Sequence, residues 1–282
     1  MRAANRIALF ALVASGMGPA TALALGENCE FRADRNGGVD SAGVVKVVIH
    51  AGAGDLKVHG AADARRIDAR GIACATKQAL LDQAQVGIRR EGNVVHIETK
   101  LPQDAEGWNW GRNENAYIDL GITLPATVAV EATDSSGDAT FEDLKSLSVQ
   151  DSSGDLELAR IAGDVVVNDS SGDIEVEKVG ALRVNDSSGD IDVDDVRTNV
   201  VVENDSSGDI EIAKVDGSVT IEQDSSGGIR VEDVRGSVTV NNDSSGDIYA
   251  GRVKGDFTVK NDSSGSIEHT SIGGKISVPR EN

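Results

Sequence analysis

The sequence predicts an all-β protein: a single-chain parallel β-solenoid (β-helix) with right-handed coils of 17–19 residues. Three observations support this prediction. The tetrapeptide Asp-Ser-Ser-Gly occurs eight times. After each copy, aliphatic residues alternate with polar ones, which is the period of a β-strand. Glycines then mark the corners between these short strands.

The tetrapeptide sets the length of the repeat. Its copies begin at Asp134, Asp151, Asp169, Asp186, Asp205, Asp224, Asp243 and Asp262, so successive copies lie 17 to 19 residues apart. A β-propeller blade needs about 40 residues, roughly twice this repeat. We therefore expect coils of two or three short strands that stack on one another, because a single repeat cannot bury its apolar face alone.

The aliphatic positions define the predicted core. One apolar residue lies two positions after each glycine of the motif, and a second follows two positions later except at His269. A third apolar residue comes three positions further on, as at Val196 and Val215. Because neighbouring side chains of a strand point to opposite faces, we expect this set to face the interior.

The chain divides into three segments. Residues 1–24 are predicted to be a signal peptide, with Arg2 and Arg6 before an apolar stretch and Ala22-Leu23-Ala24 as the cleavage site. A short membrane anchor is the alternative. Residues 25–133 are predicted to form irregular N-terminal coils and a cap, with strands at 44–49, 55–58 and 94–98 and a short helix at 77–84. The regular solenoid of residues 134–282 continues from them in one domain.

The charge of the chain bears on its partners. The formal net charge is −20, and loss of Arg2 and Arg6 with the signal peptide would bring it to −22. Nucleic acids and anionic lipid surfaces bind basic faces, so this acidity argues against both. No segment after residue 24 is apolar for long enough to span a membrane. We expect an exported monomer, periplasmic or extracellular, with an envelope protein or glycan as its partner.

The two cysteines, Cys29 and Cys74, both lie after the predicted signal peptide. An oxidising compartment favours a disulfide between them, and two free thiols are the alternative. Their spacing is not the CxxC of a redox or zinc site. We therefore expect them to be structural.

The Gly-Asp-Ile-x-Val repeats resemble the bacterial domain family of unknown function labelled "putative adhesin". The resemblance covers roughly residues 44–278, and Gly54-Asp55-Leu56-Lys57-Val58 is a degenerate copy of the same motif. It implies a secreted N-terminal segment followed by β-solenoid coils, in a cell-envelope or secreted location. It implies no catalytic residues.

Stacked turns should bring aspartates into columns, because successive coils lie about 4.8 Å apart. Ca²⁺ bridging these carboxylates would offset their repulsion, and the candidate ligands are Asp186, Asp190, Asp205, Asp209, Asp224, Asp243 and Asp247. The alternative is local: each aspartate accepts backbone N–H groups of its own turn, and no cofactor is needed. Local hydrogen bonding is the interpretation we favour.

Two tryptophans form a second candidate contact site. Trp108 and Trp110 lie two residues apart in the polar segment 103–116, so in an extended chain they would face the same side. Such a pair could stack on a sugar ring or anchor a protein partner. The alternative is that the segment covers the end of the core.

No catalytic motif is evident. The histidines His50, His59, His96 and His269 lack metal-ligand spacing, and no serine lies in GxSxG. We therefore expect a non-enzymatic exported envelope protein, an adhesin-like or scaffold solenoid with a repetitive acidic surface. A Ca²⁺-binding solenoid is the first alternative. A β-helix enzyme acting on polysaccharides is the second, although acidic sugars would require a basic cleft.

Overall fold

The fold was analysed in a computed structural model, which describes residues 29–102 and 115–279. Residues 1–24 and the pair Trp108 and Trp110 lie outside the described residues. These described residues form strands and one short helix, in the order β1 (Phe31–Asp40), β2 (Lys46–His50), β3 (Leu56–Ala61), β4 (Arg66–Ala75), α1 (Gln78–Leu81), β5 (Gln85–Glu91), β6 (Val94–Lys100), β7 (Ala116–Pro125), β8 (Ala129–Thr133), β9 (Ala139–Glu142), β10 (Ser146–Gln150), β11 (Leu156–Ala159), β12 (Asp164–Asn168), β13 (Ile174–Val179), β14 (Ala181–Asn185), β15 (Ile191–Val196), β16 (Val200–Asn204), β17 (Ile210–Val215), β18 (Val219–Ile221), β19 (Ile229–Val234), β20 (Val238–Asp243), β21 (Ile248–Val253), β22 (Phe257–Asp262), β23 (Ile267–Ile272) and β24 (Ile276–Ser277).

The strands form two 12-stranded sheets that enclose one main core, and a smaller second cluster packs around α1. Sheet 1 has the order β1-β4-β7-β3-β9-β11-β13-β15-β17-β19-β21-β23. Sheet 2 has the order β24-β22-β20-β18-β16-β14-β12-β10-β8-β2-β6-β5. From β8 onwards the chain alternates between the sheets, and each strand pairs in parallel with its equivalents in the coils before and after. The predicted parallel β-solenoid is confirmed, with two strands in each coil.

The predicted interior positions are buried. Val196 and Val215 are fully buried, and the apolar residues of the intervening coils form one continuous cluster. The series ends at the last coil, where Ile267 and Ile272 are only partly buried and His269 is exposed. Stacking identical positions thus builds the core, because each coil shares its apolar surface with two neighbours.

One corner of each coil differs from the prediction. The glycines expected there, such as Gly217, have no positive φ; a Cβ on Gly217 would instead lie 2.3 Å from the carbonyl oxygen of Thr198. The left-handed residue is a non-glycine one position before the third apolar residue, for example Lys214 with φ of 56°. This residue bulges out of the strand, so its side chain points to solvent. The corner glycines therefore allow close stacking between coils.

The N-terminal part is a cap with antiparallel pairing. Strands β2 and β3 form a coil beneath β8 and β9, and β6 and β7 extend the two sheets by one strand each. Beyond them β4 and β1 join sheet 1, and β5 joins sheet 2, all in antiparallel pairing. The sequence indicated strands near β2, β3 and β6, and a helix at α1, but not β1, β4, β5 or β7.

A disulfide joins Cys29 to Cys74, with 5.4 Å between their Cα atoms. Cys74 is buried on β4, and Cys29 lies just before β1. The bond therefore fixes the edge strand β1 to the strand with which it pairs. Among the described residues, no helix is long and apolar enough to cross a membrane.

Candidate functional site

The Asp-Ser-Ser-Gly turns follow one edge of the solenoid, where the chain passes from sheet 2 to sheet 1. We call this line of turns the aspartate edge. The second serine of each turn donates its hydroxyl to the carbonyl of the first serine one coil earlier, as from Ser226 Oγ to Ser206 O at 3.0 Å. The same bond recurs from Ser171, Ser188, Ser245 and Ser264 at 3.1–3.2 Å. The serines thus connect each turn to the preceding coil.

The aspartate after each motif is exposed and joins successive coils. We call this set the outer aspartates: Asp138, Asp155, Asp173, Asp190, Asp209 and Asp247. Each accepts a backbone N–H from the same position one coil on, as Asp190 Oδ1 does from Asp209 at 2.8 Å. Asp247 accepts both the N–H and the hydroxyl of Ser266 at 2.9 and 2.8 Å, and these bonds lower its pKa. One carboxylate oxygen of each outer aspartate therefore forms a hydrogen bond within the fold, while the carboxylate itself is exposed to solvent.

The first aspartate of each motif is buried. These inner aspartates, Asp134, Asp151, Asp169, Asp186, Asp205, Asp224 and Asp243, are at most 5% exposed. Asp169 accepts the N–H of Ser170 at 2.7 Å, and Asp205 that of Ser207 at 3.2 Å. Elsewhere in the column the following serine N–H groups lower the pKa, but by less than desolvation raises it, and neither oxygen of Asp224 or Asp243 completes a hydrogen bond. The column therefore contains buried carboxyl groups whose loss of hydration is not fully offset by hydrogen bonds.

Burial and mutual repulsion change the acidity of this column. Desolvation raises the pKa of Asp224 to about 7, and its neighbours Asp205 and Asp243 add to the effect. Desolvation likewise raises the pKa of Asp134 to about 7, and those of Asp151, Asp205 and Asp243 to about 6. Protonation of some members near neutral pH would relieve this repulsion.

The seven aspartates predicted as metal ligands belong to two separate columns. Asp186, Asp205, Asp224 and Asp243 are inner aspartates, and Asp190, Asp209 and Asp247 are outer ones. Within the described part of the chain, the one group of three possible ligands with atoms within 4.8 Å of one another is His59, Glu142 and Asp143. Arg160 donates to both carboxylates of that group, at 2.9 Å to Asp143 and 3.2 Å to Glu142. Their charge is therefore compensated by the guanidinium.

Calcium binding by the aspartate edge stays a prediction, and the two columns show how to test it. We expect CaCl₂ at millimolar concentration to raise the melting temperature slightly more than NaCl does at equal ionic strength. The outer carboxylates are the accessible ligands, so Asp190→Asn with Asp209→Asn should remove the increment. Asp205→Asn, at a buried position, should leave it intact. Equal shifts in the two salts, measured by scanning fluorimetry, would exclude calcium binding.

An acidic row runs beside the outer aspartates on the outward face of sheet 1. Its members Glu157, Glu175, Asp192 and Glu211 occupy the same position on β11, β13, β15 and β17. Desolvation and the neighbouring acids Glu157 and Asp192 raise the pKa of Glu175.

Between the row and the outer aspartates is an open groove of about 460 Å³, which we call the acidic groove. It is lined by Asp138, Asp155, Asp173, Glu157 and Glu175, with Lys57 also in its lining. Sequence reasoning missed this surface, although the row is the variable position of Gly-Asp-Ile-x-Val.

The opposite edge of the solenoid carries charges of both signs. At its bulges and the adjoining turns lie nine basic residues, Lys145, Arg160, Lys178, Arg197, Lys214, Arg235, Arg252, Lys254 and Lys275, against six aspartates, Asp143, Asp164, Asp195, Asp216, Asp233 and Asp256. Several of the basic residues form ion pairs, as from Arg252 Nε to Asp233 Oδ1 at 2.6 Å. We call this line the basic edge. Its bulges and turns therefore carry a small excess of positive charge, whereas the aspartate edge is strongly acidic.

Two solved structures are similar to this chain at low sequence identity. No curated protein sequence matches the chain. The chain is similar to the crystal structure of a protein from Parabacteroides distasonis described as a "putative lipid binding protein", with 16% identity, 88% of this chain and 97% of that chain covered, and a TM-score of 0.47. It is also similar to a "putative adhesin" from Parabacteroides merdae, with 13% identity, 89% and 97% coverage, and a TM-score of 0.39.

The family assignment comes from a sequence model. The model described as Toastrack DUF4097 matches residues 122–278, more than half of the chain. This range contains the regular coils, the aspartate edge and all of the acidic groove except Asp55 and Lys57, and the match confirms the resemblance carried by the Gly-Asp-Ile-x-Val repeats. The chain belongs to the Toastrack DUF4097 family, a family of domains of unknown function.

Proposed function

We propose that this chain is a non-enzymatic, exported protein of the cell envelope, an adhesin-like or scaffold solenoid that binds a cationic, extended partner along its acidic groove. The observation that carries the proposal is the register of the groove. The same carboxylate recurs on consecutive coils about 4.8 Å apart, so a partner bound at one coil meets an equivalent site on the next. Once one contact has formed, it raises the effective concentration of the partner at the next coil, so repeated weak contacts give a tighter complex.

The chemistry of the groove selects the partner. Its carboxylates attract amino or guanidinium groups, and its open shape admits a chain more readily than a compact small molecule. A lysine-rich segment of an envelope protein, or a glycan that carries amino groups, would meet both conditions. Each outer aspartate accepts a backbone hydrogen bond through one carboxylate oxygen. This bond fixes the position of the carboxylate before a partner binds.

A binding experiment with a decalysine peptide tests the groove. We expect affinity to fall as NaCl is raised, and to fall about tenfold further in the double variant Glu157→Gln, Glu175→Gln, which removes two carboxylates that line the groove. The matched control is Glu131→Gln with Glu203→Gln, which removes two charges from the outward face of sheet 2. Equal loss in both variants would mean that only net charge attracts the peptide, and it would contradict the proposed site.

Export is tested separately. Cell fractionation should recover the protein from the periplasm or the medium, with an N-terminus that begins at Leu25 after removal of residues 1–24. Retention of the uncleaved chain in the cytoplasm would contradict an envelope role.

A further inference from the structure

The two ends of the solenoid are built differently. At the N-terminal end the sheets finish in β1 and β5, which contact each other, and Val39, Val86 and Ile88 pack there against the core. Two arginines tie this end together. Arg35 donates to the carbonyls of Ala84 and Leu81 at 2.6 and 2.8 Å.

Arg90 closes the other side of the cap. It donates to the carbonyls of Asp40 and Ala42 at 3.0 and 2.7 Å, which links β5 to the end of β1. Together with the disulfide on β1 and β4, these bonds cover the first coil. The N-terminal end of the core is therefore closed.

The C-terminal end is open. Ile276 and Val278 are 41% and 37% exposed, whereas Phe257 and Val259, one coil earlier, are 0% and 3% exposed. Within the described residues β23 pairs only with β21, and β24 only with β22. The last described coil thus presents two strand edges around an apolar core that residues 29–279 leave partly uncovered.

Strand edges of this kind pair readily with another chain. A head-to-tail contact would set the open core against the N-terminal cap, where β1 and β5 contact each other over the core and leave no equivalent apolar surface. Two copies that meet at their C-terminal ends would instead cover both open cores and leave a closed cap at each extremity. A two-fold axis gives a contact that ends with the dimer.

We propose that the chain forms a two-fold dimer through its C-terminal coil, with β23 antiparallel to β23 of the partner subunit and β24 antiparallel to β24. Because Ser271 bulges out of β23, pairing centred on His269 sets Ile267 opposite the partner's Ile272. The same operation sets Ile272 opposite the partner's Ile267. The interface extends both sheets across the axis, and it replaces the monomer expected from the sequence.

Charge selects this arrangement over the other antiparallel one. Strand β23 runs from the aspartate edge to the basic edge, so pairing it with its own copy sets each aspartate edge beside the partner's basic edge. Pairing β23 with β24 of the partner subunit would bring like edges together. Opposite potentials stabilise the first arrangement and like charges disfavour the second.

The charged residues at the open end are distributed as this arrangement requires, with acidic residues on one edge and basic residues on the other. The aspartate edge carries three acidic residues there, Asp247, Asp262 and Glu268, against one basic residue, Lys260. The basic edge carries three basic residues, Arg252, Lys254 and Lys275, against one acidic residue, Asp256. Arg252 is already paired with Glu232 and Asp233, so the basic edge offers one positive charge in excess to the two negative charges in excess on its partner's aspartate edge.

Sedimentation velocity over a concentration series tests the dimer with the chain lacking residues 1–24. We expect a reversible monomer–dimer equilibrium that shifts towards monomer in high salt. X-ray scattering should show a maximum dimension about twice that of the monomer, with an unchanged cross-section. Ile276→Lys with Val278→Lys should abolish the dimer without destabilising the monomer, because both side chains are already exposed there.

The matched control is Val45→Lys, an exposed valine at the capped end (52% exposed), which should dimerise normally. Hydrogen exchange should show β23 amides protected in a concentration-dependent manner, and β1 amides unchanged. A monomer at all concentrations would overturn the proposal. So would a dimer that survives the double lysine variant, a dimer with a doubled cross-section, or protection of β23 only by a different protein.

Discussion

Alanine in place of Gly208 is expected to disrupt the solenoid at its middle coil. Gly208 has φ of +134°, and a Cβ there would lie 1.8 Å from the carbonyl oxygen of Gly189 and 2.5 Å from its carbon. Those atoms are backbone, so no side-chain rotation can relieve the overlap. The coils would have to separate at this turn, which also breaks the hydrogen bond from the Gly189 N–H to the Ser207 carbonyl at 3.0 Å. We expect a loss of about 4 kcal/mol or more, at the upper end for one substitution.

Gly92→Ala is the matched control. Gly92 also has a positive φ, +62°, but no atom lies within 4 Å of a Cβ built on it. It should therefore cost only the strain of the left-handed backbone, about 1 kcal/mol. Urea unfolding of the two variants measures the difference. Similar losses would show that the glycine column serves backbone conformation and does not determine how closely the coils stack.

Acidification is expected to stabilise the fold between pH 8 and pH 5. The inner aspartates have folded-state pKa values raised to about 6 or 7, as at Asp205 and Asp224, whereas an unfolded aspartate titrates near 3.9. In this window the folded chain binds protons that the unfolded chain does not. Their contribution is therefore complete below about pH 4 and is lost as the pH rises through about 6–7.

The expected gain on acidification is on the order of 3 kcal/mol, because one pKa unit corresponds to about 1.4 kcal/mol and several aspartates contribute. Below about pH 4 the trend should reverse. Arg252 lowers the pKa of Asp233, and hydrogen bonds from Ser266 lower that of Asp247, so protonating these groups costs stability. Maximum stability is therefore expected at about pH 4–5.

Asp224→Asn should raise the melting temperature at pH 7.5 and flatten the pH profile, because it keeps the shape of the side chain without its charge. Asp209→Asn is the control, since Asp209 is exposed and accepts the N–H of Gly228 at 2.7 Å. It should leave the slope between pH 8 and pH 5 unchanged. The melting temperatures of the two variants and the wild type, measured from pH 8 to pH 5, test this prediction. A wild-type stability that falls on acidification to pH 5 would contradict the role given to the inner aspartates.

The repeat region could be predicted from the sequence because its signal is local and repeated. Ile210 and Val215 occupy the same positions as their equivalents in every neighbouring coil, and alternation alone places them inside. The cap gives no such signal. Residues 31–40 contain two adjacent glycines and many charges, and they form β1 only because β4 provides a partner along ten residues.

The sequence predicted the aspartate columns but not which of the two is buried. Turn chemistry explains why Asp, Ser and Gly occur there, but it does not distinguish the buried Asp224 from the exposed Asp209. That distinction follows from the path of the chain, since the first aspartate of each motif points inwards where the strand of sheet 2 ends. The acidic groove was missed for a related reason, since Glu157 and Glu175 are ordinary outward residues until stacking brings them into register.

The serine bonds along the aspartate edge make the solenoid a structure of adjustable length. Each turn is joined only to the turns directly before and after it, through groups that are the same in every coil. Removing residues 205–223 would join Asn204 to Asp224 and leave two neighbours of equal length facing each other with all their bonding groups in place. Gain or loss of one coding unit therefore changes the molecule by about 4.8 Å and leaves both ends intact. The number of repeats alone therefore sets the distance between the N-terminal cap and the last described coil.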